Sequence, residues 1–206
     1  MGNSRVKKYF LTLAGFALIG GLTGCGGSSS NSPVTQYGVF YDAYNSIDNK
    51  NVPANFTPEN NMPNSGAVTY SGVGFVFYGV GASETQLLGE TNIRANFGND
   101  SLSGTMTNFV GGTGIGTSAE QISGFDGTLS VTGEVGTVAA GCNACLIGNL
   151  SGTLQGAGDT VQINSGILGD FYGTAYNSIG GFTPNNTQLN VDGVLTPGGA
   201  NFVAER

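Results

Sequence analysis

The chain has 206 residues, thirty-seven of them glycine, with no histidine, no tryptophan, six basic and thirteen acidic side chains, and a formal net charge of −7. Without histidine there is no Ser-His hydrolase pair and no imidazole base or metal ligand, and an acidic chain repels nucleic acid and anionic lipid. Abundant glycine, asparagine, serine and threonine with scarce lysine suit turns and outward strand positions, which points to an all-β class.

Arg5, Lys7 and Lys8 precede an apolar, small-residue-rich run from Tyr9 to Leu22, which is followed by Thr23-Gly24-Cys25. The run is too short and too glycine-rich to span a bilayer comfortably. The arrangement resembles a bacterial lipoprotein signal, which implies cleavage before Cys25 and lipidation of that residue. An ordinary secretory signal with an incidental cysteine, or a short membrane anchor, are the alternatives. Residues 1–24 are therefore set aside as a signal peptide, leaving 182 residues, enough for one domain. In this remainder Lys50, Arg94 and Arg206 face all thirteen acids, a formal −10. The acids are scattered, which suits solubility, although such a surface can also steer a basic partner.

Residues 25–33 read as a flexible polar tether. Residues 34–61 read as an irregular segment: Tyr37, Phe40, Tyr41 and Tyr44 form an aromatic cluster, and Pro53, Pro58 and Pro63 break regular elements. The pentapeptide Ala43 to Ile47 recurs at Ala175 to Ile179, and Phe56-Thr57-Pro58 recurs at Phe182-Thr183-Pro184. The unequal spacing of the copies points to chance or local turn chemistry rather than a repeat fold.

From Gly66 onward short alternating segments are bounded by Gly, Asn, Asp or Pro, the grammar of an antiparallel sheet. Strands are expected over Ala67 to Tyr78, around Ile93, Ala95 and Phe97, around Leu102 and Met106, over Phe125 to Val135, and around Leu150 and Leu154. Others are expected over Thr160 to Tyr172, Ile179 to Phe182, Leu189 to Leu195 and Ala200 to Ala204. Gly98-Asn99-Asp100 is a tight hairpin turn. No apolar stripe of helical period is long enough for a helix. Eight or nine strands in about 140 residues close most economically into a single antiparallel barrel, with an open two-sheet sandwich as the alternative. Gly104 and Gly152 face inward, leaving room for larger neighbours and letting strands coil tightly. Outward Ser, Thr, Asn and Gln argue for a soluble barrel rather than a lipid-facing porin.

Three segments, Met62 to Gly72, Ala95 to Met106 and Gly169 to Phe182, resemble in order the opening strand, the marker hairpin and the closing signature of the β-barrel domain of transferrin-binding protein B and its relatives. Together they cover residues 62–206. In the closing signature Phe171 is an inward anchor, Gly173 ends a strand, a short turn crosses the barrel mouth, and Gly180-Gly181 restart the sheet. Phe97, Gly98 and Gly104 belong to the marker hairpin. The chain departs from the family where Thr174 and Asn177 or Ser178 stand in place of proline and an acid. That family binds transferrin with two lobes, each a barrel plus a handle domain. This chain has one barrel and resembles the single-barrel relatives in size, so the fold carries over and the ligand does not.

The resemblance implies a non-catalytic outer-membrane lipoprotein, lipid-anchored and facing the cell exterior. Its barrel loops would bind a protein, haem or iron-carrier partner, with an outer-membrane translocon or a TonB-dependent receptor as companion. An accessory envelope role is the alternative. Cys142-Asn143-Ala144-Cys145 could be metal, redox or structural. Zinc lacks further ligands and thiol exchange lacks its βαβ setting, so a local disulfide is the leading reading. No metal site is expected, and no cofactor; haem is conceivable through Tyr37, Tyr41, Tyr44 and Met62, which lie near one barrel end by sequence, against a role in packing the N-terminal segment onto the barrel. Asp126 and Glu134 read as solvated turn residues rather than a glycosidase pair.

Overall fold

The structure is a computed structural model, described here for residues 32–136 and 145–206. It opens on a helix where the sequence suggested an irregular segment: α1 spans Pro33–Asp48. The tail of the expected tether starts it, with Ser32 as N-cap, its Oγ accepting from Thr35 N at 3.3 Å, and Pro33 in the first turn, where a missing N–H costs nothing. Tyr37, Phe40, Tyr44 and Ile47 recur at three and four residues and so share one face, a stripe the sequence reading passed over. Short 3-10 turns at Pro53–Asn55 and Glu59–Asn61 follow.

The strands are β1 (Ala67–Tyr78), β2 (Thr85–Asn96), β3 (Ser101–Thr113), β4 (Gln121–Gly136), β5 (Cys145–Gly156), β6 (Asp159–Tyr172), β7 (Ser178–Phe182), β8 (Gln188–Val191) and β9 (Val194–Glu205). Each pairs antiparallel with the next from β1 to β7, β7 pairs with β9, and β9 returns to β1 with Ser71 opposite Glu205. The sheet is therefore a closed ring of eight strands, and the sandwich alternative falls away. The ninth strand, β8, lies against β9 and touches β6 at Val161 and Gln162. It continues the line of β7 after an interruption at residues 183–187. The segment Leu189 to Leu195, expected as one strand, is instead the end of β8, a turn at Asp192 (φ 52°) and Gly193 (φ 86°), and the start of β9.

Inward positions are apolar and buried. Tyr70, Val76, Leu87, Ile93, Met106, Leu129, Leu150, Leu154, Phe171 and Phe202 belong to one cluster that fills the barrel axis. This agrees with the size of an eight-stranded barrel, whose interior side chains can fill. At Gly104 and Gly152 a Cβ would collide with the carbonyls of Asn92 and Thr128, and the side chains of Ile93 and Leu129 occupy the room beside them, with Cδ1 and Cδ2 at 2.6 and 3.0 Å. Outward positions are mainly polar, but β1–β3 carry Val73, Leu88 and Val110, which Tyr37 and Phe40 of α1 cover. That outer apolar patch is what docks the helix. Asp126 and Glu134 are exposed on strand β4, not in turns.

Candidate functional site

The two barrel ends differ in how they are finished. At one end, the turn after β6 is stitched to the segment that follows α1. Thr57 N donates to the Phe171 carbonyl (2.9 Å), Gly173 N to the Asn55 carbonyl (2.7 Å), Thr57 Oγ1 to the Gly173 carbonyl (2.7 Å) and Asn61 Nδ2 to the Thr174 carbonyl (2.8 Å). Asn51 adds a contact on each side of its amide, donating to the Ile179 carbonyl and accepting from Ser178 Oγ. Below this strap, Phe97 and Phe171 lie 5.7 Å apart, Phe97 and Tyr176 5.6 Å, and Tyr70 and Phe171 6.1 Å. Tyr70 donates its hydroxyl to the Tyr176 carbonyl, and the Arg206 guanidinium stands 4.5 Å over the Tyr176 ring. Burial pushes the Tyr70 phenol well up.

The expected motif residues fall at this end or just beside it. Phe171 is an inward anchor, and Gly173, at φ 84°, leaves β6 in a conformation that favours glycine. Gly180 and Gly181 lie within β7, and Phe97 and Gly98 form the β2–β3 turn, where the positive φ falls on Asp100. Cys145 opens β5, is buried and is disulfide-bonded. Cys142 and Cys25 lie outside the described residues.

The opposite end carries the loops at residues 79–84, 114–120, 157–158 and 192–193, which the strap leaves uncovered. Their conformations are fixed locally. Glu120 accepts from Gly116 N at 2.8 Å, and Thr117 Oγ1 donates to the Gly114 carbonyl. Asp192 Oδ1 accepts from Thr160 N. Tyr78 donates to Asp159 Oδ2 across 2.7 Å, and burial, then this bond, drives its phenol up. Val80, Val194 and Leu195 stand exposed.

Charge separates the ends further. Lys50 pairs with Glu205 at 2.6 Å, Arg206 donates to Asn177, and Arg94 lies opposite Ser103 near the strap end of β2. Those are the only basic side chains among the described residues. The loop end has Glu84, Glu120, Asp159 and Asp192 and no cation. This asymmetry could not be read from the scatter of acids along the chain, because it depends on which strand ends meet.

The tyrosines weighed for haem do not converge with Met62. Tyr37 belongs to the outer cluster under α1, with Tyr44 packed against it, and Met62 packs on the interior cluster. Burial raises both phenols. Among the described residues no group of three or more His, Cys, Asp or Glu side chains is placed to hold a metal ion. No described helix is long and apolar enough to cross a membrane.

No family model and no curated protein matches the sequence. Among solved structures, the chain is similar to transferrin binding protein B. A double mutant of this vaccine antigen from Haemophilus parasuis Hp5 gives a TM-score of 0.46 at 18% identity, covering 73% of this chain and 27% of that one. A single mutant of the same antigen gives 0.47 at 18%, covering 73% and 28%. Intact Ap-TbpB, with N and C lobes, gives 0.45 at 18%, again covering 73% and 28%. The chain thus spans less than a third of the structures it matches. The barrel itself stands on its strand pairing.

Proposed function

We propose that the protein is a lipid-anchored, non-catalytic binding protein of the outer membrane that faces the cell exterior and engages a protein partner through the loops at the end opposite the strap. The observation that carries this reading is the asymmetry of the barrel. One end is stitched shut and the axis is filled with side chains, so the free loops with their acidic rim are the surface left for recognition. Such a rim favours a partner with a basic contact face and raises its rate of encounter. The lipoprotein-like start at Cys25 and the family signatures support the location.

Two measurements test it. Protease applied to intact cells removes an outward-facing domain, and Cys25→Ser releases the protein from membranes. Binding of the native partner, followed on whole cells, falls in Glu84→Lys with Glu120→Lys and weakens with salt. A domain protected in intact cells, or a rim variant without effect, would replace this reading with an accessory role in the envelope. A haemin titration that produced a saturable Soret shift would move the ligand to the haem class.

A further inference from the structure

The wall formed by β5, β6 and β7 carries a second surface, away from the loops. Along β6, Ile167, Gly169 and Phe171 turn inward, so Leu168, Asp170 and Tyr172 project outward in succession. Register places Leu168 between Ile147 and Phe182, and Asp170 between Cys145 and Gly180. Leu168 is 46% exposed and Phe182 48%. On the other side of Asp170, the Tyr172 ring lies 5.2 Å from that of Phe56, which is 45% exposed. The carboxylate thus stands between two apolar groups. Gly180 adds no side chain of its own beside it: Asn51 Nδ2 and Tyr172 Cε2 lie 3.4 and 3.5 Å from where a Cβ would stand, in ordinary contact distance.

On β1–β3 the outward apolar side chains Val73, Leu88 and Val110 are covered by α1; here Leu168, Phe182 and Phe56 face outward uncovered. Asp170 has no hydrogen bond or ion pair among the described residues, and the three cations are occupied or placed elsewhere. Burial raises its pKa. A partly desolvated carboxylate without a counter-charge is unfavourable, and a cation brought in with apolar flanks relieves that cost.

We propose that this wall receives a protein segment presenting a lysine or arginine between apolar side chains, the cation meeting Asp170 beside Gly180 and the flanks resting on Leu168 and Phe182 and on Tyr172 and Phe56. Charge argues for this occupant over the others. The described residues of a second copy bring thirteen acids against three bases, and an anionic lipid surface is repelled by the same excess. The inference does not depend on the loop reading.

The test uses the full chain, detergent-solubilised and isotopically labelled, titrated with an amide-capped Leu-Phe-Arg-Phe-Leu peptide and with its glutamate counterpart. The arginine peptide is expected to shift the amide resonances of Leu168, Asp170, Gly180 and Phe182 saturably, and the glutamate peptide to leave them in place. Asp170→Asn, which keeps the shape of the side chain, should weaken the arginine peptide at least about tenfold, Leu168→Ser should weaken it as well, and Glu84→Lys should not. Equal response to both peptides, shifts mapping elsewhere, or Asp170→Asn without effect would overturn the proposal. So would self-association abolished by Leu168→Ser, which would make the occupant a second copy, or vesicle binding by the Cys25→Ser chain abolished by the same change, which would make it a lipid surface.

Discussion

The hydroxyl of Thr57 donates a 2.7 Å hydrogen bond to the carbonyl of Gly173, 116 positions along the chain, and Thr57 is only 3% exposed. The bond ties the start of the domain to the turn that finishes β6. Thr57→Val keeps the shape and leaves the carbonyl without this donor, so it should cost about 1–3 kcal/mol in urea unfolding. Thr57→Ser should recover most of the loss. A valine variant as stable as the parent would mean that the strap adds nothing.

Helix α1 is held by one face. Phe40, in the cluster with Val73, Leu88 and Val110, should lose about 3 kcal/mol on truncation to alanine. Tyr41, 48% exposed on the same helix, should change stability by less than about 0.5 kcal/mol. Hydrogen exchange reads where the loss falls: faster exchange in α1 alone in Phe40→Ala identifies undocking, and unchanged protection there rules docking out as the helix's source of order.

Alkaline pH should unfold the protein through its phenols. Tyr37, Tyr44, Tyr70 and Tyr78 are pushed up chiefly by burial, and Tyr172 is pushed up to about 12 by burial and then by Asp170 and Asp48. A raised phenol holds its proton in the folded state while the unfolded chain releases it. Its contribution is therefore complete below the ordinary value of about 10 and is lost as pH climbs from there through the folded value. Urea midpoints should hold up to about pH 9 and fall beyond about pH 10, with phenolate absorbance appearing together with unfolding. Full phenolate absorbance, the share of these five rings included, reached well before unfolding would show them to be open to solvent.

Cys145 is expected to pair with Cys142, leaving Cys25 for the lipid. Non-reducing peptide mapping should recover that pair, and a link to Cys25 would sink it. Because the closed loop is so short, reduction should cost no more than about 2 kcal/mol.

The limits of β1 were legible to the residue, since Gly66 and Gly79 bound it on either side. The helix was not. Ala43 to Ile47 lies within α1, whereas the same five residues at Ala175 to Ile179 form the last part of a turn and the start of β7. Identical local preference yields two structures because the first copy has an apolar wall to lie on and the second is fixed between paired strands. The β8–β9 turn was missed although Asp192-Gly193, both at positive φ, is a two-residue hairpin pair, because the apolar residues on either side of it read as one continuous strand. In the repeated Phe-Thr-Pro, Thr57 and Thr183 are both buried and both bond backbone at strand ends, which is the local chemistry the repeat encodes. The apolar wall around Asp170 was invisible because its members come from four separate stretches of chain and meet only through register.

Because the ring closes between β1 and β9, its seam joins the first and the last strand of the sheet. Until β9 is in place, β1 presents one long unpaired edge to its surroundings. An edge of that length can pair with another molecule, so the rate at which the seam closes, rather than the stability of the finished cylinder, decides how much chain escapes association.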